Sequence, residues 1–220
     1  MCIRDSRATL RPVAVLVVMA LVAGLGMVVV SGASASAAPS VAHTVNDLGD
    51  AGDAAAGDGV CEVTPGLGDC TLRAAIDEAN ATLAPTTIGF AASGTIRVGA
   101  PLVVAGPVAI DGVGQRVRLS SRFYSDSPPE HQLLRFTSAV HPFFVANLTL
   151  ADGLGGPSGG GAIEAVAPVA GSVVANVAFV GNQSAAPGGA VAVLGGQLTI
   201  QNSTFQGNSS EQSGADVFDQ

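Results

Sequence analysis

The chain has 220 residues, a formal net charge of -8 and a charged fraction of only 12%. This composition is too apolar for a disordered chain, and the length is sufficient for a sizeable core. The acidic balance argues against nucleic acid as a partner, because phosphate binding needs a stripe of lysine or arginine. Solvated strand faces explain a cluster of arginines in the middle of the chain, namely Arg97, Arg116, Arg118, Arg122 and Arg135.

The N-terminal region is predicted to consist of a short foreign stretch followed by a signal peptide that is cleaved off. The first six residues, MCIRDS, resemble the translation of a sequencing adapter, so residues 1–6 are expected to be an artefact. Two arginines then precede an apolar run from Pro12 to Val30 that ends in small residues, which is typical of a secretory signal peptide over 7–37. A transmembrane anchor is the alternative, because an apolar run of this length can just span a bilayer. The small residues favour cleavage and therefore a secreted or cell-surface protein.

The segment 38–69 is predicted to be an acidic loop rich in glycine, and it leads into the next element. Its carboxylates include Asp47, Asp50, Asp53 and Asp58. Clustered carboxylate oxygens suit calcium, but the spacing fits no EF-hand loop, and Gly/Asp turns are common without metal. No cofactor is therefore predicted, and calcium at this loop stays open as the alternative.

Cys61 and Cys70 are the only cysteines once residues 1–6 are set aside. An even pair in an exported chain predicts a disulfide. A zinc site would need two more ligands, and the three histidines are widely scattered. A redox site would need the spacing C-x-x-C, which the chain lacks.

A short amphipathic helix is predicted over 70–84. Its apolar face is formed by positions i, i+3, i+4 and i+7, namely Leu72, Ala75, Ile76 and Ala79. Thr71 is a suitable N-cap, and Pro85 prevents continuation of the helix. Such a short helix is marginal alone, so it is expected to dock on the rest of the chain.

The stretch CTLRAAIDEAN, from Cys70 to Asn80, resembles the CSLREA motif, which marks the N-terminus of many exported bacterial β-helix proteins. It departs from that motif at Thr71, where the family has serine, and at Ala74, where the family has glutamate. The threonine keeps a capping hydroxyl, whereas the alanine loses a carboxylate and any ion pair it would make. The resemblance implies that the helix, pinned by the disulfide, covers the open first turn of a stacked sheet, because an exposed edge invites aggregation.

From Thr86 onward, short runs rich in valine and isoleucine are separated by Gly, Pro and Ala. These runs recur too closely for crossover helices, which excludes a doubly wound α/β fold. A β-sandwich would have more hairpin turns of the Asn-Gly or Asp-Gly kind. The predicted fold is all-β: a right-handed parallel β-helix over 85–220, a solenoid with a short N-terminal capping α-helix. The polar stretch 120–132 is expected to be a loop that projects from one coil.

Three related stretches begin at Asn147, Asn176 and Asn202, at spacings of 29 and 26 residues. A period of this size is typical of a solenoid, in which each unit buries its apolar face against the next. Phe179 and Phe205 are predicted to point inward and to stack. Because asparagine tolerates a left-handed bend, the three asparagines are predicted to form a ladder between coils, with plain surface turns as the alternative.

The units also resemble the repeats of polymorphic outer-membrane proteins, which carry GGAI and FxxN. The matching segments are Gly160–Ile163, Gly188–Val191, Phe179–Asn182 and Phe205–Asn208, with Ser213–Asp216 as a degenerate copy. The chain stops at Gln220 in the middle of a repeat, without a terminal cap. This predicts a fragment truncated at its C-terminus, with any membrane anchor beyond it.

The predicted function is a secreted or cell-surface scaffold, adhesin-like or structural. It would bind polysaccharide or another surface ligand through one long side face and the loop 120–132. Because the β-helix also houses pectate lyases and polygalacturonases, a polysaccharide lyase or hydrolase is the alternative. Such enzymes need clustered carboxylates. The available ones occur singly, so no catalytic, cofactor-binding or metal-binding residue is predicted; they are Asp111, Asp152, Glu164 and Asp216.

Overall fold

The computed structural model describes residues 40–121 and 131–220, which belong to one compact unit. The expectations for residues 1–6, for the signal peptide over 7–37 and for most of the loop 120–132 lie outside the described residues. Among the described residues, no helix has both the length and the apolar character that crossing a membrane requires.

The described residues include nineteen short strands and one helix. The first elements are β1 (Val41–Val45), α1 (Leu72–Thr82), β2 (Thr86–Phe90), β3 (Gly94–Arg97), β4 (Leu102–Val104), β5 (Val108–Asp111) and β6 (Val117–Ser120). The middle elements are β7 (Leu134–Phe136), β8 (Phe144–Ala146), β9 (Leu148–Ala151), β10 (Leu154–Gly155), β11 (Ile163–Val166) and β12 (Val173–Ala175). The last elements are β13 (Ala178–Val180), β14 (Gln183–Ser184), β15 (Val191–Leu194), β16 (Thr199–Gln201), β17 (Thr204–Gln206), β18 (Ser209–Ser210) and β19 (Val217–Asp219).

The strands form four separate sheets, and every strand pair within them is parallel. Sheet A has the order β1-β2-β5-β8-β12-β16, sheet B β3-β6-β9-β13-β17, sheet C β4-β7-β11-β15-β19 and sheet D β10-β14-β18. From β8 onward the chain visits sheets A, B, D and C in that order, three times in succession. The prediction of an all-β chain with one short helix is confirmed at this level.

The register of sheet A gives the number of residues in each round of the chain. A round, or coil, is the stretch from one strand of sheet A to the next strand of that sheet. Phe144 pairs with Val173, and Val173 pairs with Thr199, which are steps of 29 and 26 residues. The step from His43 to Ile88 is longer, because the acidic loop and the helix are inserted between these two strands. Insertions between strands therefore change the length of a round without disturbing the parallel pairing.

Inward side chains of successive strands stack in columns. In sheet B the column consists of Ile96, Leu119, Leu150, Phe179 and Phe205. The rings of Phe179 and Phe205 have centroids 4.7 Å apart and planes only 7° from parallel. Similar columns from sheets A and C join this one in a single hydrophobic cluster. Because side chains alternate along a strand, the residues between the core positions face outward.

Helix α1 lies against β4, β1 and β2. The Oγ1 of Thr71 accepts the main-chain N–H of Ala74 at 3.0 Å and caps the helix, whose predicted apolar face is buried. The predicted disulfide between Cys61 and Cys70 is confirmed, with Cα atoms 5.1 Å apart. The disulfide holds the acidic loop against the start of the helix.

Strand β1 lies inside the segment 38–69, which the sequence predicts to be a loop, so this prediction is wrong for residues 41–45. Val45 is fully buried and His43 is only 7% exposed, so alternate residues of β1 point into the core. Five residues are too few for this alternation to stand out in the sequence. Sheet A therefore begins before the helix instead of after it.

Candidate ligand-binding groove

A groove of about 470 Å³ runs beside the bends that lead from sheet A into sheet B. Three successive rounds of the chain contribute to its lining, which consists of Gln115, Arg116, Val117, Arg118, Asn147, Leu148, Thr149, Asn176 and Ala178. Arginine, amide and hydroxyl groups thus surround a few apolar side chains. This combination is typical of sites that orient a polar ligand.

Each bend from sheet A into sheet B contains an asparagine with a left-handed backbone. The angle φ is 57° at Asn147, 54° at Asn176 and 50° at Asn202. Asparagine adopts this conformation more readily than most residues, because its short polar side chain can hydrogen-bond locally. The three positions are equivalent, since the residues directly before them pair in register across sheet A.

The predicted ladder does not join the side chains of these three asparagines. Nδ2 of Asn147 donates to Oδ1 of Asp111 at 2.7 Å. The side chains of Asn176 and Asn202 are exposed and make no hydrogen bond to any described residue. Main-chain bonds already connect the rounds here, because N–H of Asn176 donates to the carbonyl of Gln201. The side-chain amide of Asn176 therefore faces the groove, and that of Asn202 faces solvent.

A hydrogen-bonded asparagine ladder lies further along each unit, three residues after the phenylalanine. Asn182 is fully buried; its Oδ1 accepts N–H of Gly153, and its Nδ2 donates to the carbonyl of Leu150, both at 3.0 Å. Asn208 repeats this arrangement one round later. The sequence reasoning missed the role of these two residues, because the FxxN spacing shows that they repeat but does not show that they are buried.

Two arginines bring positive charge to the groove. Arg116 is exposed, and its guanidinium has no hydrogen-bond or ion-pair partner within 40–121 or 131–220. Nη2 of Arg118 lies 2.7 Å from Oδ2 of Asp152, which also accepts a hydrogen bond from Oγ of Ser120 at 2.9 Å. The side chains of this ion pair are 36% and 17% exposed, so the pair borders solvent.

Charge is unevenly distributed over the described chain. Arg97 lies on β3, next to β6, which carries Arg118 on the outer face of sheet B. Arg135 lies on sheet C beside Glu164, and Arg122 falls outside the described residues. Residues 40–85, in contrast, contain one arginine and eight acidic residues. Positive charge thus collects on the outer face of sheet B, whereas negative charge collects around the helix.

The four carboxylates that the lyase or hydrolase alternative would use are dispersed over the sheets. Sheet A carries Asp111 in β5, sheet B is followed by Asp152 after β9, and sheet C carries Glu164 in β11 and Asp216 before β19. Oε1 of Glu164 lies 3.4 Å from Nε of Arg135, and Oδ1 of Asp216 accepts Nδ2 of Asn208 at 3.0 Å. In the described part of the chain, no group of three or more His, Cys, Asp or Glu residues could hold a metal ion. A glycosidase would need two of these carboxylates to face each other across a bound sugar.

Carboxylates around the acidic loop bind main-chain N–H groups. Glu78 of α1 is 1% exposed, and its two oxygens accept three such groups, from Gly57, Asp58 and Gly59, at 2.7, 3.1 and 3.3 Å. Calcium, the alternative considered for this loop, would have to compete with these hydrogen bonds. The sequence reasoning missed Glu78, because the helical pattern alone does not show that a glutamate next to the apolar face is buried.

Two residues of the stretch Cys70–Asn80 attach the helix to β4, the edge strand of sheet C. Nδ2 of Asn80 donates to the carbonyl of Val103 at 2.7 Å, and Oδ1 accepts N–H of Ala105 at 2.8 Å. Nη2 of Arg73 donates to the carbonyl of Ala100 at 2.7 Å. Side chains of the helix thus satisfy main-chain groups along this edge, which would otherwise be open to another strand.

The resemblances to known families rest on short stretches. The CSLREA-like stretch covers eleven residues, and each GGAI or FxxN match covers four. Comparisons of the whole chain with protein-family models, with curated proteins and with solved structures each found no match.

Proposed function

We propose that the chain winds as a right-handed parallel β-helix, a solenoid whose successive rounds stack on one another. The repeated order of sheets, the parallel pairing and the columns of core residues support this winding. Connections between parallel strands are right-handed in nearly all proteins, which supports the hand. In such a stack each round depends on its neighbours for burial of its apolar side chains.

We infer further that this scaffold is secreted or displayed at the cell surface, where it acts as an adhesin-like binding protein. The predicted signal peptide over 7–37 supports export, and so does the disulfide, because disulfides persist in oxidising compartments. The resemblance of Cys70–Asn80 to the CSLREA motif of exported proteins points the same way. The single observation that carries the binding function is the groove of about 470 Å³, with arginine and asparagine side chains from successive rounds.

Ala178 provides a test that does not depend on the charge of the ligand, because its small side chain lines the groove. Ala178→Trp would fill the groove with an indole ring, so the full chain should lose binding to whatever ligand it takes. Thr204→Trp is the matched control, since Thr204 is the partner of Ala178 in the next strand but does not line the groove.

The measurement is an array of polysaccharides and extracellular proteins, probed with the full chain and with both variants. We expect saturable binding that Ala178→Trp removes and Thr204→Trp retains. Equal binding by the two variants would show that the groove is not the contact surface. Depolymerisation of a polysaccharide, abolished by substitution of Asp111, Asp152 or Glu164, would replace the scaffold with the enzymatic alternative.

A further inference from the structure

We propose that the groove binds an anionic polysaccharide of the polyuronate class, with a sugar carboxylate held by Arg116. This inference rests on the proposed binding function and specifies the chemical class of its ligand. It is carried by the guanidinium of Arg116, which has no partner among the described residues, by the amide and hydroxyl groups beside it, and by the spacing of the strands that line the groove.

Arg116 differs from the arginines elsewhere on the described surface. Arg73 is paired with Asp50 at 2.9 Å, and Arg135 lies beside Glu164. Arg116 lines the groove and has no partner among the residues that the structure describes. A guanidinium presents a planar fork of N–H donors that matches a carboxylate with two parallel hydrogen bonds. An oxyanion supplied from outside the chain therefore suits it, and the carboxylate of a uronate is one such group.

Arg118 adds a second positive charge to the groove, but Asp152 partly neutralises that charge. Its guanidinium contacts Asp152 through one nitrogen, and its remaining N–H groups donate to no described residue. Asp152 therefore competes with a ligand carboxylate for the same cation. Removal of the Asp152 charge should strengthen the binding of an anion in this groove.

The other groups of the groove favour a sugar over an acidic peptide. The Asn176 side chain is exposed and makes no hydrogen bond to a described residue, and the half-buried Thr149 adds a hydroxyl. Both side chains can donate to and accept from sugar hydroxyls. The larger apolar side chains of the lining, Val117 and Leu148, are only 2% and 4% exposed, so the groove lacks the open pocket that an aromatic peptide anchor needs.

The strand spacing fits a polymer laid across the rounds. Arg118 pairs with Thr149, and Thr149 pairs with Ala178, so each round advances the groove by one strand. Neighbouring strands lie about 4.8 Å apart. This distance is comparable with the length of one sugar residue in an extended chain. A polyuronate can therefore place successive sugars over successive rounds, with one of its carboxylates at Arg116.

The test is a binding titration of the full chain with three polymers: polygalacturonate, its fully methyl-esterified form and dextran sulfate. The esterified polymer has the same sugars without charge, so it should bind at least about tenfold more weakly, as expected for the loss of hydrogen bonds to a charged group. Dextran sulfate separates carboxylate recognition from general polyanion binding. Tighter binding of dextran sulfate than of polygalacturonate would overturn the carboxylate assignment.

Three variants make the test specific to the groove. Arg116→Gln should weaken polygalacturonate binding by about tenfold, whereas Asp152→Asn should strengthen it. Gln197→Glu changes the net charge by the same amount as Arg116→Gln but lies on an exposed turn outside the groove, so it should leave binding unchanged. Thermal melts recorded by circular dichroism confirm that each variant is folded.

The outcomes separate this inference from the proposed function. If a neutral glycan or a protein binds, is lost in Ala178→Trp and is unaffected by Arg116→Gln, then the scaffold binds ligands but the polyuronate assignment is wrong. If no ligand of the array binds at all, both proposals fail. Weakening by Arg116→Gln together with strengthening by Asp152→Asn supports the polyuronate class.

Discussion

The side-chain amide of Asn208 joins two rounds of the chain at Asn182: its Oδ1 accepts the main-chain N–H of Asn182 at 3.0 Å. Its Nδ2 donates to the carbonyl of Phe179 at 3.2 Å, and Asn182 makes the same kind of contact to the round before it. Phe179 and Phe205 stack three residues earlier. The FxxN spacing thus couples an apolar stack inside the sheets to a polar ladder at the next turn, so one short pattern serves both.

Asn182→Asp is expected to be strongly destabilising. A carboxylate oxygen would replace the Nδ2 donor opposite two acceptors, the carbonyl of Leu150 and Oδ1 of Asn208, in a fully buried position. Leaving buried acceptors unsatisfied beside a charge should lower the free energy of unfolding by about 2–4 kcal/mol, measured by urea denaturation.

Asn176→Asp is the matched control for this change. Asn176 is exposed, and aspartate also tolerates its left-handed backbone, so the free energy of unfolding should change by less than about 0.5 kcal/mol. Equal losses in the two variants would mean that the buried ladder contributes no more than a surface amide.

The parallel stacking could be predicted from the sequence, whereas the position of the ladder could not. Phe179 and Phe205 repeat at the same interval as their neighbours, and this periodicity predicts that they occupy equivalent places in successive rounds. Asparagine, however, serves both at exposed bends and in the buried ladder. The two roles differ only in burial, and the strands of sheet D that follow Asn182 and Asn208 have two residues each, too few to show a periodic pattern.

The groove was only partly visible in the sequence. The arginine cluster was apparent, but its members could be sorted only after the strands were assigned to sheets. Arg118 and Arg135 are only 17 residues apart in the sequence, yet Arg118 belongs to sheet B and Arg135 to sheet C. That Arg116 has no partner within the described part of the chain depends on contacts between rounds, which a single sequence does not contain.

The loss of stability on replacing a glycine of the GGAI-like segments should depend on how closely other atoms approach that glycine. Gly188 has φ of 79°, and an added Cβ would collide with the carbonyl oxygen of Val191. Gly188→Ala therefore combines a left-handed alanine, which costs about 1–2 kcal/mol, with overpacking that costs about 1–3 kcal/mol more. Thermal and urea unfolding should both show the loss.

Gly207→Ala isolates the backbone contribution. Gly207 has φ of 64°, but a Cβ there would meet nothing within 4 Å. Only the left-handed cost of about 1–2 kcal/mol is expected. If Gly207→Ala destabilises the protein as much as Gly188→Ala does, close contact with the main chain of Val191 is not the reason for a glycine at position 188.

Glu78→Gln is expected to loosen the acidic loop. The amide keeps the shape of the side chain but turns one of its acceptors into a donor that faces main-chain N–H groups. Loss of hydrogen bonds to a charged, buried acceptor should cost about 1.5–3 kcal/mol. Hydrogen exchange should become faster at the amides of Gly57, Asp58 and Gly59.

Glu211→Gln is the control for this substitution, since Glu211 is exposed and its side chain binds no described residue. Its effect on the unfolding free energy should be below about 0.5 kcal/mol. Unchanged exchange at residues 57–59 in Glu78→Gln would rule out the buried carboxylate as the organiser of this loop.

Asp69 should make stability depend on pH in the acid range. Its Oδ1 accepts N–H of Thr64 at 2.8 Å and of Val63 at 3.1 Å. The main-chain hydrogen bond from Thr64 lowers the pKa of the Asp69 carboxyl below its ordinary value of 3.8. A carboxyl whose pKa is lower in the folded state contributes stability above its unfolded-state pKa. This contribution is lost as the pH falls through the folded-state pKa.

Comparison with Asp69→Asn isolates this contribution, because the amide does not titrate. The native protein should exceed the variant in unfolding free energy near neutral pH, and the difference should narrow below pH 3.8, the ordinary pKa of the group. A side-chain titration followed by NMR should place the midpoint for Asp69 below that value. A difference between the two proteins that stays constant across the acid range would show that the charge on Asp69 does not stabilise the turn at Val63 and Thr64.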